Sequence, residues 1–225
     1  MHRPRASIPR PAWQCGPVSS WHSHEKVDEY VGRIHTVPQR LAGEAVLAEI
    51  MPPAPRRALD LGCGDGPLTR VILDARPGIT EIIAVDASPP MLERVRARFT
   101  DEPRVRVEER DLREPIAALG AFDLVVSGFA IHHLDDDRKQ TLLGEIVAML
   151  RPGGMYANLE IVASPTPELH AAFRAAIGRG GDDPEDRLVS VETQLAWMRA
   201  AGLEQVDCIW KWRGFALLVG DAPKR

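Results

Sequence analysis

Acidic residues and glycines close two apolar runs in this chain of 225 residues. Asp60, Gly62, Gly64 and Gly66 follow Ala58-Leu59, and Asp86 ends the run Ile82-Ile83-Ala84-Val85. Closely spaced glycines between an apolar strand and a helix let backbone approach a ligand, because glycine has no side chain and tolerates positive φ. An acid ending the next strand can accept hydrogen bonds from ribose hydroxyls. The spacing therefore points to a nucleoside-cofactor site. Its charge narrows the choice. A pyrophosphate would meet Asp60 and Asp65, and the third glycine of a G-x-G-x-x-G pattern falls at Pro67. A like-charge contact at ~4 Å costs about 1–4 kcal/mol at dielectrics typical of a protein surface. The same acids favour a ligand bearing an ammonium and a sulfonium, and S-adenosylmethionine is such a ligand.

These residues need a scaffold, and apolar runs alternate with helical patterns along the chain. Strands are expected at 57–61, 81–85, 105–109, 122–127 and 155–161. Helices are expected from Pro67, after Ser88 with Pro89-Pro90 in the first turn, after Asp135-Asp136-Asp137, after Ser164-Pro165-Thr166 and after Ser190. Pro152-Gly153-Gly154 should separate the 155–161 strand from a helix that buries Leu142, Leu143, Ile146 and Leu150. Residues 21–51 read as cover helices broken near Pro38, with Leu41, Ala45, Val46 and Ile50 on one apolar face. Residues 163–202 read as a helical lid, and 206–210 with 213–219 as a closing hairpin. Strand–helix repetition implies a parallel sheet with right-handed crossovers. Residues 1–20, rich in Arg and Pro, read as a poorly ordered tail before one domain at 21–225.

In motif order the chain resembles the class I S-adenosylmethionine-dependent methyltransferases, of the bacterial small-molecule type. The resemblance covers roughly 27–220 and adds Glu108-Glu109-Arg110-Asp111-Leu112, Phe122-Asp123-Leu124-Val125-Val126-Ser127, Ala130-Ile131-His132-His133-Leu134 and Leu150-Arg151-Pro152-Gly153-Gly154 to the glycine loop. It implies an α/β, doubly wound, Rossmann-like sheet of seven mostly parallel strands whose last strand is antiparallel. It implies S-adenosylmethionine as donor and S-adenosylhomocysteine as product. By the same resemblance Asp60 lies near the methionine ammonium, Asp86 holds both ribose hydroxyls and Asp111 reaches the adenine amine. Each acid also has a plainer reading as a cap or turn residue. Gly62, Cys63, Gly64, Gly66, Ala87, Met91, Leu112 and Ser127 complete the expected donor site, Cys63 through its backbone. Tyr30, Arg33 and Arg40 are candidates for the donor carboxylate, since arginine binds a carboxylate bidentately.

Methyl transfer from a sulfonium is an in-line displacement that depends chiefly on alignment, so a general base is optional. His132 and His133 follow the fourth strand and have a suitable pKa for that role, although either one can instead be structural. Trp21, Trp197, Trp210 and Trp212 could stack on a flat or cationic acceptor, or simply pack lid on core. His22, His24, Glu160, His170 and Arg174 are further rim candidates. No metal is implied, because Asp135-Asp136-Asp137 reads as a helix cap and first turn.

Formal net charge is -4 and the pI is about 6.0, so no global basic field favours nucleic acid. Cys15, Cys63 and Cys208 lack metal-ligand spacing, no signal peptide is evident, and the expected compartment is the cytoplasm. No apolar run reaches the ~20 residues of a membrane span. A small-molecule acceptor is the leading expectation, and a homodimer is compatible with the sequence. One alternative is an RNA or protein methyltransferase with Arg3, Arg5 and Arg10 as an electrostatic handle. Another is a non-catalytic subunit that binds S-adenosylmethionine.

Overall fold

The computed structural model describes residues 20–116, 119–181 and 183–224. The tail expected at 1–20 lies outside them except for Ser20. Seven strands form one sheet in the order β3-β2-β1-β4-β5-β7-β6. They are β1 (Arg57–Leu61), β2 (Glu81–Asp86), β3 (Val105–Glu109), β4 (Phe122–Gly128), β5 (Leu150–Ile161), β6 (Glu204–Trp212) and β7 (Phe215–Asp221). β1 to β5 pair in parallel, and β7 runs antiparallel to both β5 and β6. Helices α1 (His24–Ile34), α2 (Pro38–Ile50), α3 (Pro67–Ala75), α4 (Pro89–Arg98), α5 (Asp136–Met149), α6 (Pro167–Ala176) and α7 (Val191–Ala200) complete the α/β fold.

The central strands are apolar on both faces because both are covered. Ala58, Ile82 and Leu124 pack toward a cluster with Leu47, Leu68 and Ile72, under α2 and α3. Their strand neighbours Leu59, Ile83 and Val125 pack toward Leu142, Ile146 and Met198, under α5 and α7. This is the two-residue alternation of a strand applied to a sheet with two interiors. Side chains of Ser88, Asp135, Thr166 and Ser190 cap α4, α5, α6 and α7, each accepting from a backbone N–H three residues on. The acidic run after β4 is thus a helix start.

Two local expectations are corrected. On α2 the buried face is Arg40, Gly43, Glu44 and Leu47, whereas Leu41 is 52% exposed. An ion pair, Arg40 to Glu44, occupies the place where an apolar stripe was expected, so hydrophobicity alone misjudged the facing side. The strand expected at 155 instead begins at Leu150, directly after α5, and Leu150 pairs with Phe122 across a register irregularity. Positive φ at Gly153 lets the strand pass through Pro152-Gly153-Gly154 rather than start after it.

The chain leaves β1 toward β2 on one side, while β4 lies on the other. That reversal opens a crevice beyond the carboxyl ends of β1 and β4, where Leu61 pairs with Ser127.

Candidate functional site

A cavity of about 390 Å³ fills that crevice. Its floor is the loop after β1, with Gly62, Cys63, Gly64 and Asp65, and the end of β2, with Asp86, Ala87, Ser88 and Met91. Arg110, Asp111, Leu112 and Arg113 form one end, and Gly128, Phe129, Ala130, His133 and Leu134 form a wall. Trp21, His22, Tyr30 and Arg40 arrive from the cover, and Glu185 and Arg187 from the loop between α6 and α7.

The floor is shaped by backbone. Gly62 has φ +67, and a Cβ there would stand 2.2 Å from the Ala130 Cβ. Gly66 caps α3 at φ +87, against the Phe99 ring. The Asp86 carboxylate ties the two floor segments together by accepting from the Gly64 N–H at 2.9 Å and the Ser88 N–H at 2.8 Å. Burial pushes its pKa up, and those backbone donors oppose the rise. The Ser88 hydroxyl donates in turn to the Trp21 carbonyl at 2.5 Å, pinning the cover to the floor.

Two charged groups at this site are buried with an atom that has no hydrogen-bond partner among the described residues. Asp60 is 1% exposed; its Oδ2 accepts from Thr69 Oγ1 at 2.7 Å, but Oδ1 is unpartnered. Burial pushes this carboxyl up to about 7. Arg40 is 3% exposed; its Nε donates to Glu44 at 2.7 Å and it lies over the Phe129 ring, but Nη1 is unpartnered. Burial opposes its charge, yet Tyr30 and Glu44 beside it raise its pKa, so it stays a cation. Unmet buried groups of opposite charge at one site call for an explanation, and a ligand carrying an ammonium and a carboxylate supplies one. Phe129 itself sits at φ 55, a strained conformation for a side chain this size, at the cavity wall.

Comparison with known proteins gives the same direction. Residues 58–154 match the methyltransferase domain family model, which spans the glycine loop to the start of β5. The chain belongs to the class I S-adenosylmethionine-dependent methyltransferase family. An uncharacterized methyltransferase of Mycobacterium tuberculosis is 35% identical over 126 residues, 56% of this chain and 59% of that protein. The malonyl-[acyl-carrier protein] O-methyltransferase of Pseudescherichia vulneris is 31% identical over 175 residues, 76% of this chain and 66% of that one. The chain thus spans less than two thirds of the length of these curated relatives. A solved structure of an O-methyltransferase family protein from Burkholderia thailandensis shares the fold, with a TM-score of 0.70 at 19% identity over 89% of this chain and 60% of that one.

The donor candidates Tyr30, Arg40, Gly62, Cys63, Gly64, Asp86, Ala87, Met91, Asp111 and Leu112 line one cavity. Three others lie beneath it. Asp60 and Gly66 support the loop, and the buried Ser127 hydroxyl donates to the Leu61 carbonyl at 2.9 Å. Cys63 is buried with its thiol pKa pushed far up, so the thiol is inert. Asp111 is gripped by Arg113 through contacts of 2.6–3.0 Å; burial raises its pKa, but the guanidinium outweighs that and lowers it.

The acceptor candidates scatter. His133 lines the cavity, 5.6 Å ring to ring from Trp21, whereas His132 lies behind it, 5% exposed. His132 Nδ1 is 2.5 Å from Glu160, whose carboxylate also accepts from the backbone N–H of His132 and Ile161. Burial would lower the pKa of His132, but Glu160 and Asp186 raise it to about 9. Burial and the charge of His132 push His133 down to about 4. The expectations for His24, Glu160, Arg174, Trp197 and Trp210 as acceptor contacts do not match their positions. His24 is exposed on α1, Trp197 packs with the α5–α7 cluster, and Trp210 sits against Gly43 of α2. Glu160 and Arg174 are fully buried behind the wall, Glu160 on His132 and Arg174 3.5 Å from Asp186. Arg33 lines a smaller neighbouring cavity. Nothing in the sequence marked Thr69, Phe129, Asp186 or Arg187, because their roles come from long-range packing; only the acidic Asp183-Pro184-Glu185-Asp186 run hinted at a charged loop.

Proposed function

We propose that the protein transfers a methyl group from S-adenosylmethionine to a small-molecule acceptor. The observation that carries this reading is the pair of unmet buried atoms, Asp60 Oδ1 and Arg40 Nη1, flanking a glycine loop at a cavity of about 390 Å³. The donor, when bound, supplies an electrophilic methyl on a sulfonium. Asp60, beneath the glycine loop, offers its unpartnered Oδ1 to the amino group; Arg40 with Tyr30 holds the carboxylate, Asp86 takes the ribose hydroxyls, and Ala87, Met91 and Leu112 enclose the base. Asp111 meets the adenine amine from the same end of the cavity. Trp21, Phe129 and the 183–188 loop exclude water above the reacting centre, and much of the rate then comes from alignment. Of the two histidines only His133 faces the acceptor, and it is uncharged at pH 7, with a lone pair to offer.

A small acceptor fits the enclosure better than a macromolecule. The cavity is roofed by Trp21 and by Glu185 and Arg187, and net charge is -4. Among the described residues no helix is long and apolar enough to cross a membrane. Action in the cytoplasm accords with the free thiols of Cys63 and Cys208. Incubation with methyl-labelled S-adenosylmethionine and a cell extract tests the reading. Label in the small-molecule fraction with release of S-adenosylhomocysteine is expected; enzyme-dependent label in RNA or protein, or none anywhere, contradicts it.

A further inference from the structure

Behind the cavity wall three ligating atoms converge that the donor site does not use. His132 Nε2 lies 3.4 Å and His133 Nδ1 3.7 Å from Asp186 Oδ1, and all three atoms lie within 4.8 Å of one another. Tetrahedral zinc with bonds of about 2.0–2.1 Å sets its ligand atoms about 3.3 Å apart; both contacts to Asp186 are within a few tenths of an ångström of that spacing, and the pair of imidazole nitrogens, within 4.8 Å, would close on an ion by ring rotation. Asp186 Oδ1 is buried without a hydrogen-bond partner among the described residues, and the Asp186 side chain is 6% exposed.

The surrounding groups orient these ligands as outer partners do at metal sites. Glu160 holds Nδ1 of His132, leaving Nε2 for a ligand, and Arg174 lies 3.5 Å from the other Asp186 oxygen. The atoms face a cavity of about 30 Å³ bounded also by Trp21, Tyr30 and Phe129, room for about one water as a fourth ligand. Arg33 and Arg179 share that cavity, and Asp183 answers them, 3.3 Å from Arg179.

We propose that His132, His133 and Asp186 form a binding site for a divalent transition metal ion, zinc by the chemistry of its two imidazoles and one carboxylate. Because Trp21, Tyr30, Phe129 and His133 wall both cavities, the ion would border the acceptor space and could polarise an acceptor oxygen there. Metal binding stands apart from methyl transfer; that use of the ion rests on the proposed function.

Chelator-treated, dialysed protein would be titrated with Co²⁺, read by its visible absorption, and with Zn²⁺ in competition. The site predicts one equivalent of Co²⁺ displaced by Zn²⁺, with at least tenfold weaker binding in both Asp186→Asn and His133→Ala. Glu160→Gln, which changes only the outer partner, should weaken it about 10- to 100-fold. Unfolding curves check each variant, and His133, on the cavity wall, serves if Asp186→Asn does not fold. Absence of metal uptake by the wild type, or undiminished uptake in the folded variants, overturns the site. S-adenosylhomocysteine affinity measured on the same samples reports separately on the donor site, so failure of one reading is distinguishable from failure of the other.

Discussion

The two halves of the cavity are built by different means. The donor half is backbone: two short strand-to-helix turns, glycines at positive φ and an aspartate accepting from two main-chain N–H groups. The acceptor half is made of side chains from three distant segments, Trp21, Phe129 with His133, and the loop around Asp186, held by buried charge pairs. Backbone geometry leaves little choice of residue, whereas a charge network can be assembled in many ways. The first half therefore fixes a cofactor, and the second is free to select an acceptor.

If this contrast is right, the largest effect comes from disturbing the donor backbone. Gly62→Ala places a methyl 2.2 Å from Ala130 Cβ at φ +67. It should lower stability by about 2–4 kcal/mol and abolish measurable donor binding, by denaturant unfolding and calorimetry. Full retention of both would mean that backbone does not shape this half.

A smaller effect is expected from pH. Asp60 is held up to about 7 by burial, from an ordinary value of 3.8. Below 3.8 folded and unfolded chains both keep this proton, and between 3.8 and 7 only the folded chain does. Its contribution to stability therefore falls as pH rises through that window, in the protein without donor. An ammonium favours the ionised form, so donor affinity should rise about tenfold per pH unit up to 7 and then level off. Asp60→Asn should flatten that profile; a profile unchanged by the substitution would remove Asp60 from the amino-group contact.

Trp210→Leu sharpens the contrast from the other side. Trp210 packs on Gly43 of α2 rather than in the cavity. A loss of about 1–3 kcal/mol in unfolding free energy with unchanged donor affinity is expected. The least effect belongs to His24→Ala, exposed on α1, which should change stability by less than about 0.5 kcal/mol and leave turnover unaltered.

The same contrast explains what could be read from the sequence. Apolar runs at β1, β2 and β4 and the capping residues Ser88, Asp135, Thr166 and Ser190 are local signals, and the elements form where those signals lie. The donor floor is local too: Gly62, Gly64 and Asp86 announce themselves by spacing. The facing side of α2 was not legible, because Arg40 and Glu44 are buried by a partner that no periodicity reveals. Nor was the orientation of His132 against His133. The two rings on the 3-10 turn (Ile131–His133) lie only 4.0 Å apart, and Glu160, 28 positions away, holds His132 behind the wall while His133 meets the cavity. Tryptophan content misled for a related reason: Trp197 and Trp210 come from the right segments but face the core.

The central claim is that Asp60 and Arg40 hold the amino-acid end of the donor. S-adenosylhomocysteine and 5′-methylthioadenosine share the nucleoside thioether and differ in that end alone. Calorimetry of both on the wild type and on Arg40→Gln tests the claim directly. The account predicts much tighter binding of S-adenosylhomocysteine to the wild type. It also predicts a loss of about 1.5–3 kcal/mol for that ligand in Arg40→Gln, with methylthioadenosine unaffected. Equal affinity of the two ligands, or an equal loss for both in the variant, would contradict it.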